Sequence, residues 1–105
     1  MKQNQLSKDE LADLLESIAL RIEGGDRSMD LYSVIRKAQE ELTRLKMLGA
    51  FSFMLRIGML VLHNGRTTPH NYNLVQETID RLEPLDPVKD GNKIRVMAKG
   101  IRPGV

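Results

Sequence analysis

The chain has no cysteine and no tryptophan, and only two phenylalanines and two tyrosines among its 105 residues. Without cysteine there is no disulfide, no thiolate nucleophile and no thiolate metal site. With so few aromatics the interior must be built from Leu, Ile, Val and Met, a composition that suits packed helices better than a β-sandwich. A bilayer-spanning run is also lacking. The longest apolar stretch, LGAFSFMLRIGMLVL from Leu48 to Leu62, holds Arg56 near its centre and falls short of the ~20 apolar residues a spanning helix needs. The opening MKQNQLSKDE has no apolar core of the kind a secretion signal carries, so the chain reads as cytoplasmic. Its net charge of +2 is too small to argue for a nucleic-acid partner.

What charge there is has been sorted along the chain. Residues 1–30 carry four basic and seven acidic side chains, residues 31–66 six and two, residues 67–87 one and four, and residues 88–105 five and one. This acidic, basic, acidic, basic order is expected to be satisfied within the molecule, segment against segment. The length fits one domain with a modest core.

Helical signals dominate. Ser7-Lys8-Asp9-Glu10 matches a capping box, in which serine and glutamate satisfy each other's end of the first turn. Leu11, Leu14, Leu15, Ile18 and Ile22 follow at helical spacing, and Gly24-Gly25 supplies the left-handed exit. A second helix, capped by Asp26 or Ser28, has its stripe at Leu31, Val34, Ile35, Ala38, Leu42 and Leu45. At Gly49 it either continues to about His63 as one element some 50 Å long or breaks into a separate helix over the apolar run. That run reads as helix rather than strand, because Leu and Met outnumber β-branched residues. His63-Asn64-Gly65 is an exit, and Thr68-Pro69 starts a further helix with Tyr72, Val75, Ile79 and Leu82 inward, stopped by Pro84. Residues 85–92 read as a loop with an Asp90-Gly91 turn, and Lys93–Ala98 as a short strand, since Ile94 and Val96 alternate with polar neighbours. The expected fold is therefore all-α, a small domain of three to four helices around a central hydrophobic helix. Residues 1–6 are a disordered lead-in, 7–84 the helical core, and 85–105 a loop and short, extended, basic C-terminal tail.

No group of side chains reads as catalytic, and no cofactor is implied. His63 and His70 lack a nearby carboxylate or cysteine to complete a metal site; they belong to a helix exit, a turn and a cap. Three features bear on binding. Met47, Phe51, Met54, Leu55 and Met59 sit in a helix too apolar to be covered easily by so short a chain, which points to a protein partner or a second copy. Arg56 within that helix requires a carboxylate, from the acidic helices or from a second copy. His70, Asn71 and Asn73 could open a recognition helix, and Lys93, Arg95, Lys99 and Arg102 in the tail could track phosphates. Glu77, Asp80 and Glu83 on that helix, and the absence of aromatics in the tail, weigh against nucleic acid. The sequence thus reads as a non-enzymatic regulator, inhibitor or adaptor, a homo-oligomer docking on another protein, with a nucleic-acid binder as the alternative.

Overall fold

In the computed structural model, which describes residues 5–66 and 81–102, the chain is all-helical. Four helices and no strand occur among the described residues: α1 (Lys8–Glu23), α2 (Met29–Arg44), α3 (Leu48–Arg66) and α4 (Pro87–Ile101). None of them is long and apolar enough to cross a membrane.

The first two helices begin and end as local chemistry dictates. Ser7 Oγ accepts from Glu10 N–H, and the Glu10 carboxylate accepts from Ser7 N–H, completing the capping box. Ser28 caps α2 by accepting from Leu31 N–H. At the C-terminus of α1, Gly25 donates to Ile22 O and Asp26 to Arg21 O, with Gly25 at φ 90°. The end of α2 repeats this two-bond closure, Lys46 donating to Thr43 O and Met47 to Leu42 O. Here the left-handed residue is Lys46, at φ 59°. The break between α2 and α3 therefore lies at 45–47 and not at Gly49, and the single 50 Å helix does not form. A lysine closes this helix where glycine is the usual residue, which is why composition alone pointed to the wrong place.

The buried stripes are Leu11, Leu15, Ile18 and Ile22 of α1; Leu31, Ile35, Ala38 and Leu42 of α2; Met54, Ile57 and Val61 of α3; and Ile94, Ala98 and Ile101 of α4. Packing is organised as two helix pairs, α1 with α4 and α2 with α3, joined by a smaller α1–α2 contact. Gly58 allows α3 to approach α2: a Cβ there would stand 2.8 Å from Gln39 Nε2 and 3.2 Å from Ile35 Cγ2.

The C-terminal region departs most from expectation. Residues 87–101 are helix, not loop, strand or extended tail. Asp86 accepts from Val88 and Lys89 N–H, and Pro87 occupies the first turn, the same cap-then-proline signal read at Thr68-Pro69. Gly91 is no turn residue; it lets α4 cross α1, since a Cβ there would stand 2.7 Å from Glu23 Cγ. Ile94 is buried whereas Val96 is exposed, which the alternation of a strand could not produce. The lead-in is also more ordered than expected at its end, because Leu6 N–H donates to Glu41 Oε1 and Leu6 O accepts from Arg44 Nη2.

Two buried carboxylates carry the polar interior. Asp90 takes Arg56 in a 3.2 Å ion pair and also accepts from Asp86 N–H, while Arg56 donates to the carbonyls of Glu83 and Pro84. The carboxylate that Arg56 requires thus comes from α4, a region read as a loop. Glu41 is buried on α2 and receives Arg44, Lys37 and Leu6 N–H.

Removing one member of the Arg56–Asp90 pair leaves a buried charge uncompensated, which costs about 3–5 kcal/mol. Asp90→Ala should therefore lower unfolding stability by roughly that amount in urea titration, and the double change Arg56→Met, Asp90→Leu by clearly less than the sum of the singles. Acid stability follows from Glu41. Burial raises its pKa, but Arg44, Leu6 N–H and Lys37 outweigh that and hold the carboxyl below its ordinary 4.5. A lowered folded pKa contributes stability above the unfolded value and loses it as pH falls through the folded one. The urea midpoint should hold down to about pH 5 and decline below it, and Glu41→Gln, less stable at neutral pH, should flatten that decline.

Candidate protein-docking site

α3 is apolar on two sides. One side, Met54, Ile57 and Val61, enters the core. The other carries Leu48, Phe51, Leu55, Met59 and Leu62, spaced so that all project to one side of the helix. Leu48 is 70% exposed and Leu55 42%, with Phe51, Met59 and Leu62 half-buried. A single buried stripe is the usual pattern for a helix in a small bundle; the second one is only partly covered among the described residues.

Between this stripe and α2 runs an open groove of about 350 Å³. Its α3 wall is Phe51, Leu55, Gly58 and Met59, and its α2 wall is Tyr32, Arg36, Gln39, Glu40 and Thr43. The α2 wall is fixed by its own bonds. Arg36 Nη1 donates to the Tyr32 hydroxyl at 3.3 Å, Gln39 Nε2 donates across to Met54 O at 3.1 Å, and Thr43 Oγ1 donates to Gln39 O at 2.9 Å. The groove therefore pairs an adaptable apolar wall, with a methionine in it, and an ordered polar wall offering both signs of charge.

Of the five interface residues proposed from sequence, Phe51, Leu55 and Met59 lie together in this groove. Met47 is half-buried against the core. Met54 must be struck from the set, because it is fully buried between α3 and the core. Five groove residues from α2 were missed. Their signal was Tyr32, Arg36, Gln39 and Thr43 at spacings of four, three and four, a second face beside the apolar stripe.

The alternative set divides. His70, Asn71 and Asn73 lie outside the described residues, as does the Thr68–Leu82 helix reading up to residue 80. Lys93, Arg95, Lys99 and Arg102 lie on α4 or at its end, not on a loose arm. Arg95 forms a two-pronged ion pair with Glu23, 2.7 Å at Oε1. Arg102 reaches Asp13 and Glu16 at 3.1 Å and Asp9 at 3.4 Å. Lys93 Nζ stands 5.2 Å from the centre of the Phe53 ring, which Arg56 also approaches at 5.4 Å. The hydrogen bond to Arg95 holds the Glu23 carboxyl below its usual range against the opposing pull of burial.

No protein-family model, curated protein or solved structure matches the chain. Its functional reading rests on this geometry.

The burial of Met54 and Leu55 separates core from surface. Met54→Glu should cost more than ~3 kcal/mol, since it buries a charge without a partner. Leu55→Glu should change the urea midpoint by the equivalent of no more than about 1 kcal/mol. Circular dichroism of both variants during urea titration checks the contrast.

Proposed function

We propose that this chain is a small non-enzymatic protein-binding regulator, inhibitor or adaptor of the cytoplasm. It acts by receiving an amphipathic helix of a partner protein in the groove between α2 and α3. The observation that carries the reading is the second apolar stripe of α3, with Leu55 and Leu48 exposed beside half-buried Phe51 and Met59. In this reading α3 is the hydrophobic helix on which the rest is organised, one side committed to the core and the other to the partner.

The groove suits a helix better than an extended strand. It offers no unpaired backbone edge, so strand addition has nothing to pair with; it offers apolar positions at helical spacing, into which a partner's i, i+3, i+4 and i+7 side chains fit. Arg36 and Glu40 on the opposite wall would select charge and orientation on the partner's polar flank. The nucleic-acid alternative is weaker, because Arg95 and Arg102 are already engaged by carboxylates of α1 and phosphates would have to displace them.

A photo-cross-linking residue placed at Met59 tests this, with the same probe at the exposed Gln5 as the reference. We expect the Met59 probe to capture a defined partner through a peptide with apolar residues at helical spacing, and Leu55→Glu to cut the yield by about ten-fold, the effect of roughly 1.4 kcal/mol. Capture equal to that of the Gln5 probe, or insensitive to Leu55→Glu, would refute the groove. Capture of nucleic acid instead would turn the account to α4.

A further inference from the structure

The antiparallel pair of α1 and α4 presents an outer face away from the core, and that face is self-complementary. Its register is set by Arg95 meeting Glu23 and Arg102 meeting Asp13 and Glu16. This places Leu20 level with Val96 to within about one turn. Both are large apolar residues left open, 65% and 69% exposed. On the α1 side of this pair the exposed charges are Asp9, Asp13 and Glu16, three carboxylates that share the single Arg102; on the α4 side they are Lys89 and Lys99, Lys93 being turned to Phe53 of α3. An acidic strip and a basic strip thus lie side by side, with an apolar pair between them.

From this juxtaposition we infer that the α1–α4 face binds a second copy of the chain about a two-fold axis parallel to the helices. That axis is the choice that lays α1 of one copy on α4 of the other. Leu20 then packs on Val96 of the second copy, and Lys99 approaches Glu16 and Asp13 of the second copy; the same contacts recur by symmetry, as an isologous interface requires. An axis across the helices would instead set α1 on α1 and α4 on α4, bringing like charges together. Helices of this length cover about 23 Å, so two side by side offer on the order of 450 Å² per copy, or about 900 Å² in all, below the ~1,200 Å² of a stable standard interface. An interface this small and this charged is transient and dependent on ionic strength. It leaves the α2–α3 groove of both copies open, and it stands or falls independently of the partner reading.

The absence of cysteine from the chain makes the symmetry directly readable. Full-length Leu20→Cys and Val96→Cys variants are oxidised alone and as an equimolar mixture, while sedimentation of the unmodified chain is followed against concentration and salt. The expected result is a reversible dimer whose population falls about ten-fold between ~0.05 M and ~0.5 M salt, with mixed Leu20→Cys/Val96→Cys cross-links several-fold above either self-cross-link. Val96→Asp and Lys99→Glu, both at exposed sites, should each remove the dimer without altering the helical signal. A monomer throughout the concentration series would overturn the inference. So would self-cross-links exceeding the mixed one, or a dimer that survives Val96→Asp and Lys99→Glu but is lost in Leu55→Glu.

Discussion

The buried contact between Arg56 and Asp90 is the constraint on which the arrangement of the bundle depends. The helices otherwise fall into two pairs, α1–α4 and α2–α3, that meet mainly through α1 and α2. Arg56 joins the open side, reaching from α3 to the first turn of α4 and to the carbonyls of Glu83 and Pro84 that lead into it. Asp90 in turn accepts from Asp86 N–H, so the ion pair and the start of α4 are one hydrogen-bonded unit. Such a pair contributes little net stability compared with an apolar replacement, yet it is costly to half-remove. Its contacts tie the start of α4 to α3 at one position.

Charge sorting does the corresponding work on the other side of α4. Glu23 and the cluster of Asp9, Asp13 and Glu16 hold Arg95 at the middle of the helix and Arg102 at its C-terminal end, so α4 is pinned antiparallel to α1 at two points. These pairs are partly exposed and individually modest. Their value lies in register. The same sorting leaves acidic residues on α1 and Lys99 on α4 of one face, while the apolar surplus of the chain sits on α3.

The two surfaces differ in physical character. The α2–α3 groove is apolar on one wall, at Phe51, Leu55 and Met59, and held in shape by Gln39 and Thr43 on the other, so a ligand there would draw mainly on apolar burial. The α1–α4 face has one apolar pair amid charges, so it responds to ionic strength.

The sequence by itself determined the helical class, the aromatic-poor core, and the elements whose signals are local. The Ser7–Glu10 capping box, the Gly24-Gly25 exit, and the stripes of α1 and α2 are written within a few residues of where they act. The apolar side chains of the α3 wall were legible for the same reason: an apolar residue in excess of one helical stripe must go somewhere, and Phe51, Leu55 and Met59 were that excess. What only the tertiary structure decided depends on residues distant in the chain. Gly91 reads as a turn until Glu23 is seen against it, 68 positions away. Ile94 and Val96 look equivalent until α1 covers one and not the other; Met54 and Leu55 differ only in which side of α3 meets α2 and the core. Lys46 closes α2 in a conformation that favours glycine, which becomes evident only from the backbone. Caps and periodicity are properties of neighbours along the chain, whereas burial and charge partners are properties of neighbours in space, and these appear only once the helices have packed.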